Sequence, residues 1–184
     1  MTKKSVLVPL AQGFEEIEAV TIVDVLRRAE IRVVTAGLTP GKVTGAHGIT
    51  VVPDQDISEA RAEGHDMIVL PGGLPGSQHL HDDARVQALL AEFKAKGLWT
   101  AAICAAPMAL VPSGIAEGKR VTSYPGFESK LVGAIYREEA VVVDGRVVTS
   151  RGPGTALRFA LKLVELLDSP ATAAKLGAGM LATA

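Results

Sequence analysis

Residues 98–110 read Leu98-Trp99-Thr100-Ala101-Ala102-Ile103-Cys104-Ala105-Ala106-Pro107-Met108-Ala109-Leu110, and the change of pattern halfway along this stretch decides the fold. Leu98–Ile103 is an unbroken, mostly apolar run, the pattern of a strand buried on both faces. From Ala105 the sequence reads as a helix start, with Pro107 in its first turn. A strand that passes without a gap into a helix turns sharply and thrusts one side chain, here Cys104, to the carboxyl edge of its sheet. Ligands bind at that edge in open α/β folds, and other nucleophiles sit on the same strand-to-helix elbow. Ala105 and Ala106 are small enough to let a ligand reach the backbone. The first helical amides favour a thiolate, so a lowered thiol pKa is predicted. A buried, inert cysteine is the plain alternative, and position alone leaves both open.

Outward from this elbow the same alternation repeats. Val6-Leu7-Val8, Ile31-Arg32-Val33-Val34 and Met67-Ile68-Val69-Leu70 read as further buried strands. Between them, Glu16–Ala29 has helical spacing, with Ile17, Val20 and Asp24 on one line and Val23 and Leu26 beside it. Asp82–Lys96 carries Val86, Leu89, Leu90 and Phe93, with Asp82 or Asp83 as N-cap. Strand and helix in alternation predict a mostly parallel sheet with helices on both faces. Gly41–Pro53 reads as a turn-rich excursion with Ile49–Val52 as an added strand. Asp144-Gly145 joins Val141–Val143 to Arg146–Val148 as a hairpin. Gly152-Pro153-Gly154 opens a helix over Thr155–Leu167, with Leu157, Ala160, Leu161, Val164 and Leu167 as its apolar face, and a terminal helix follows from Ala171. One α/β domain over residues 1–184 accommodates all of this.

Composition excludes several classes of function. Lys plus Arg number 19 against 20 Asp plus Glu, a net charge of −1, so nothing draws the chain toward nucleic acid or an anionic membrane. A single cysteine rules out an intrachain disulfide and a multi-thiolate metal site. No stretch is long and apolar enough to span a bilayer. The apolar run after Met1-Thr2-Lys3-Lys4 meets Glu15, Glu16 and Glu18 instead of a cleavage site, so a cytoplasmic location is expected.

Two more strings carry chemistry. Leu70-Pro71-Gly72-Gly73 follows a buried run, and glycines there expose amides that can bond an oxyanion; a plain turn explains them equally well. Glu15-Glu16-Ile17-Glu18 opens the first helix. The macrodipole and solubility account for two of these carboxylates, whereas Glu18 is placed to point toward the edge that holds Cys104. A carboxyl desolvated there keeps its proton and can donate or shuttle it. His47, His65, His79 and His81 all precede Cys104, and none adjoins it. His79 and His81 are expected in a loop and helix cap, where their spacing does not aim both rings at one ion, so neither metal nor cofactor is predicted.

Taken together, Gly13–Glu18, Val23–Ala29, Val69–Gly73, Ala101–Pro107 and Thr149–Thr155 resemble the ThiJ/PfpI superfamily, and within it the deglycase branch with its bacterial counterparts. The resemblance implies a flavodoxin-like, class I glutamine amidotransferase-like sandwich and a homodimer. It makes Cys104 the reactive cysteine and Glu18 its protonated partner, with Gly72, Gly73 and Ala105 around the thiol. Arg28, Ala106 and Pro153 match positions near the pocket or the dimer interface. The implied activity is that of a cofactor-independent deglycase or glyoxalase. Its substrates would be methylglyoxal, glyoxal and their early protein or nucleotide adducts. An alternative of another class is a redox sensor or redox-regulated chaperone, acting through oxidation of Cys104 to the sulfinate. Three departures stand out. Ala105 replaces the histidine that follows the nucleophile in the peptidase-like branch, which disfavours peptidase or amidase chemistry. Tyr124 stands where the deglycase branch can carry a histidine, and His47 stands where an arginine is frequent.

Overall fold

The computed structural model describes residues 3–182. Six strands of the main sheet run parallel, five of them being β1 (Ser5–Leu10), β2 (Arg32–Gly37), β6 (Met67–Leu70), β7 (Trp99–Ile103) and β11 (Val147–Ser150). Two short strands complete the sheet, β5 (Gln55–Asp56) and β10 (Val141–Asp144), in the order β10-β11-β7-β6-β1-β2-β5. Only β10 is antiparallel, joined to β11 through the predicted Asp144-Gly145 turn, where Gly145 adopts φ 61. Helices α1 (Glu16–Arg28), α4 (Ala156–Leu167) and α5 (Pro170–Gly179) cover one face, and α2 (Gly76–Asp82) and α3 (Ala84–Ala95) cover the other. This is the flavodoxin-like α/β arrangement.

Alternation along each strand explains why the runs are continuously apolar. Val6, Val8, Val69, Ala101 and Ile103 face the α1–α4 layer, while Leu7, Ile68, Leu70 and Ala102 face α2 and α3. Cys104 falls on the α1 side, which sets up its meeting with Glu18.

The helices are where the sequence reading needs correction. On α1 the buried line is Ala19, Ile22, Val25 and Leu26, packed on α4, and the predicted line is turned outward, with Ile17 58% and Val20 51% exposed. Both stripes have helical spacing, so periodicity does not choose between them. On α4, Phe159 and Leu163 join Ala160, Val164 and Leu167 inside, whereas Leu157 and Leu161 are only partly buried. Asp83 caps α3 by accepting from the Arg85 and Val86 amides, and the segment before it is the separate helix α2. His79 and His81 therefore lie on a helix rather than in a loop. The predicted strand at Ile49–Val52 shrinks to β4 (Thr50–Val51), which pairs with β3 (Val43–Thr44) in a ribbon outside the main sheet. A second small pair, β8 (Arg120–Val121) with β9 (Ile135–Tyr136), was not foreseen. The segment after Cys104 is a 3-10 turn over Ala106–Leu110 instead of an α-helix. Among the described residues no helix is long and apolar enough to cross a membrane.

Candidate active site

Cys104 caps β7 with φ 64, a left-handed conformation that costs a non-glycine residue energy unless its surroundings impose it. They do so from both sides. The Cys104 amide donates to the Ser150 carbonyl at 2.9 Å, and its carbonyl accepts from the Tyr124 amide at 2.8 Å. The elbow thus holds the thiol at the carboxyl edge, over the end of β6. There Gly72 leaves room: a Cβ at that position would lie 2.5 Å from Cys104 Cβ and 2.5 Å from Glu18 Oε2. Gly73 has φ 90, and a side chain on it would collide with the Glu15 amide.

Glu18 comes from the first turn of α1 and is wholly buried. Its Oε2 accepts from the Gly72 amide at 2.8 Å. Its Oε1 is buried without a hydrogen-bond partner of ordinary geometry, and the Cys104 thiol stands close enough to interact with the carboxyl. Burial pushes the Glu18 carboxyl up to about 7 against the pull of the Gly72 amide. The thiol is pushed up to about 12, by burial first and then by the Glu18 carboxylate, while the Gly73 and Ala105 amides favour its thiolate. The lowered thiol pKa predicted from the elbow is therefore overturned. The amide of Ala105 at the start of the short 3-10 turn and that of Gly73 after β6 do not outweigh a desolvated site with a carboxylate beside the sulfur.

The remaining acidic residues of that turn are not the solvated helix-end charges that the sequence implied. Glu15 is buried as the N-cap of α1, its Oε2 accepting from the Glu18 amide at 2.8 Å, while its own amide donates to the Gly72 carbonyl at 2.9 Å. Glu16 is buried against the β3–β4 ribbon, accepting from the His47 amide at 2.7 Å and meeting His47 Nδ1 at 2.8 Å. Burial raises Glu16, but the His47 side chain and amide and the Ile49 amide outweigh it and hold the carboxyl below its usual range. Nothing in the local sequence signals the pairing, because His47 arrives from 31 positions away.

The structure brings Cys104, Glu18, Gly72, Gly73 and Ala105 together. Tyr124 borders them through its amide, its ring lying against Gly152 and 47% exposed. Ala106 is buried in the 3-10 turn, and Pro153 opens the turn that follows β11. Arg28 stays on the outer face of α1, paired with Asp24 at 2.7 Å, and His47 is bound to Glu16 rather than to the thiol. Sequence reasoning missed Ser150, whose carbonyl anchors the Cys104 amide, and the capping role of Glu15.

The raised Glu18 pKa has a measurable consequence for stability. An acid whose pKa is higher in the folded state stabilises that state fully below the unfolded value and loses the contribution as pH rises through the folded one. For a shift from 4.5 to about 7 the window lies between those values. The loss across it reaches about 3 kcal/mol. Urea midpoints at the two ends of this window should fall more steeply with pH in the wild type than in Glu18→Gln. Parallel pH profiles would contradict the assignment.

Similarity to known proteins follows the same residues. Residues 4–166 match the sequence profile described as the DJ-1/PfpI family. The Drosophila melanogaster protein dj-1beta is 42% identical over 181 residues, covering 97% of each chain, and its crystal structure superposes with a TM-score of 0.94 over 100% of both chains. A Caenorhabditis elegans protein named glutathione-independent glyoxalase DJR-1.2 is 38% identical over 171 residues, 91% of each. The structure titled Toxoplasma gondii DJ-1, oxidized, superposes at a TM-score of 0.93 with 40% identity, over 97% of this chain and 98% of that one. None of the three is bacterial, so these similarities do not assign the chain to the bacterial sub-branch. With a profile match that runs from β1 into α4 and relatives aligned over nearly their whole length, the chain belongs to the DJ-1/PfpI family.

Proposed function

We propose that this protein converts small reactive dicarbonyls such as methylglyoxal to hydroxy acids, using Cys104 as nucleophile and Glu18 as proton carrier. The observation that carries the reading is the buried Glu18 carboxyl, raised to about 7, beside a thiol faced by the Gly73 and Ala105 amides. Two groups so close titrate as a pair and, once a first proton has left, share the one that remains. The nucleophilic form is the one with that proton on Glu18 and the negative charge on sulfur.

The chemistry follows from this geometry. Sulfur attacks the aldehyde carbon, and the carbonyl oxygen takes up negative charge, stabilised by the Gly73 and Ala105 amides. Glu18 gives that oxygen its proton and becomes the base that removes hydrogen from the same carbon. That proton returns at the neighbouring carbon while the hydroxyl proton passes to the neighbouring oxygen, leaving a lactoyl thioester on Cys104. Water then cleaves the thioester, giving lactate and restoring the thiol, so the net change is addition of one water to methylglyoxal. The glyoxalase name of the Caenorhabditis elegans relative supports this class of reaction. Glyoxal and early protein or nucleotide adducts of these aldehydes expose the same electrophilic carbon. Peptidase chemistry has no support, since among the described residues His47 is bound to Glu16 and His65 to Ser5, while His79 and His81 lie on α2.

A redox role through the same residues is the second reading, favoured by the orphaned Glu18 Oε1 next to the thiol. Two equivalents of peroxide would take the thiol to a sulfinate with release of two waters, and a protonated Glu18 would bond one sulfinate oxygen. We further propose that the working form is a homodimer. Ile17 and Val20 on α1 lie exposed, as do Ile49 and Val52 at the ribbon, and Val23 and Val51 line a groove of about 300 Å³ in this region.

Lactate counted as product, without glutathione, should form from methylglyoxal with wild type. It should fall by about 10²–10⁴-fold in Cys104→Ser and in Glu18→Gln. Disappearance of the aldehyde is no substitute, because any thiol traps it reversibly. Equal lactate from wild type and Cys104→Ser would reject the enzymatic reading. Mild peroxide should add two oxygen atoms at Cys104 alone, by intact mass and peptide mapping; oxidation confined to methionines would reject the redox reading. Sedimentation should show twice the chain mass for wild type and the single-chain mass for Val20→Asp, and a wild type that sediments as one chain rejects the dimer.

A further inference from the structure

Beneath the amino ends of β7 and β11, at the edge of the sheet opposite Cys104, lies a cavity of about 540 Å³. Its apolar lining includes the buried Ile115 and Val147. Its charged lining comes from three separate segments. Lys94 stands in the last turn of α3, Glu117 and Lys119 in the loop that leads to β8, and Arg146 in the β10–β11 hairpin. Three cations and one carboxylate leave an excess of two positive charges here, in a chain whose net charge is −1.

Ordinary charge pairing does not use up these cations. The helix end and two carbonyls account for Lys94, whose Nζ donates to Gly114 at 3.0 Å and to Ser113 at 3.3 Å. Lys119 and Arg146 form no ion pair among the described residues, and the acids around them are taken. Asp144 on the hairpin is bound to Arg120 at 3.3 Å and lies in the field of Lys119 without pairing with it, while Glu92 on α3 is bound to Lys96 at 2.6 Å. Arg146 lays its guanidinium over the Trp99 ring, 4.7 Å from the centroid, which fixes the plane of the fork and leaves its N–H groups without an acceptor among the described residues. Two glycines keep the space open for the ammonium groups. A Cβ on Gly114 would lie 3.0 Å from Lys94 Nζ, and one on Gly145 would lie 3.3 Å from Lys119 Nζ.

Like charges gathered around a partly apolar cavity focus a positive field into it, and a bound anion relieves their repulsion. We propose that this cavity binds a phosphate-class dianion, either free phosphate or the phosphomonoester of a small metabolite, at a site separate from Cys104. The charge selects this class. A phosphomonoester carries about −1.5 to −2 at pH 7 and so answers the excess of two, whereas a single carboxylate answers half of it. The Arg146 fork suits two phosphate oxygens at once, and Lys119 adds a point charge beside it. Glu117, the one acid in the lining, is exposed and opposes a second anionic group on the same ligand. The volume falls in the range of small-molecule sites, about 300–1,000 Å³. Thr100, at this end of β7, precedes Cys104 by four residues, about 13 Å of strand at about 3.3 Å per residue. The cavity therefore shares no residue with the thiol site, and it lies away from the α1 face proposed for the dimer.

Calorimetric titration of the full chain with glycerol 3-phosphate and, separately, with inorganic phosphate tests this, with glycerol as the uncharged control. One site per chain is expected, with a Kd of about 1 mM or tighter, and glycerol should not bind. Lys119→Gln and Arg146→Gln should each weaken binding by about tenfold or more. Lys175→Gln, which removes an exposed charge on α5, should leave it unchanged. Thermal unfolding without phosphate verifies that the variants are folded, and Lys119→Gln carries the test if loss of the Trp99 stack unfolds Arg146→Gln. Tighter binding of the ester assigns the site to phosphomonoesters, and equal binding assigns it to free phosphate. No saturable binding, unchanged affinity in Lys119→Gln, or an equal loss in Lys175→Gln would overturn the site.

Discussion

The hydrogen bond from the Gly72 amide to the buried Glu18 carboxyl joins two layers of the fold at the candidate active site. It ties the first turn of α1 to the end of β6, while β7 delivers Cys104 to the same place. Each partner constrains the next. Position 72 has no room for a Cβ, because Cys104 Cβ and Glu18 Oε2 crowd it from two sides. Cys104 must take a left-handed backbone to present its sulfur there, and bonds to Ser150 and Tyr124 hold it in that conformation. Desolvation raises this carboxyl to about 7, so the same packing that locates Glu18 also lets it hold and release a proton near neutral pH.

The three carboxylates that open α1 show how strongly function depends on where a side chain ends rather than on its type. Glu15 caps the helix and braces Gly72 through its own backbone, Glu16 reaches the ribbon, and Glu18 turns inward to the thiol. One helical turn separates their directions, and each meets a different environment. Glu16 is held ionised by His47, whereas Glu18 has no cation and is pushed toward neutrality. The opposite shifts within two residues follow from hydrogen-bond partners and desolvation, with no difference in chemical group.

The sheet was legible because each of its central strands is a short, continuous apolar run, a pattern forced by helices on both faces. The hairpin at Asp144-Gly145 was legible because that turn demands residues tolerant of positive φ. Helix faces were less so. On α1 the stripes Ile17–Val20 and Ala19–Ile22–Leu26 are both apolar with helical spacing, and only the position of α4 decides which is buried. The β3–β4 and β8–β9 pairs escaped notice because two-residue strands carry almost no periodic signal.

By itself the sequence determined the alternating α/β order, the elbow at Cys104 and the family strings around it, because these are written in local runs and turn residues. The partnership of Glu18 with Gly72, the burial that raises both the carboxyl and the thiol, and the meeting of Glu16 with His47 were decided only by the tertiary structure. Their partners lie 54 and 31 positions apart along the chain. Desolvation and hydrogen-bond geometry are properties of the space between elements, and no stretch of one-dimensional sequence contains that space.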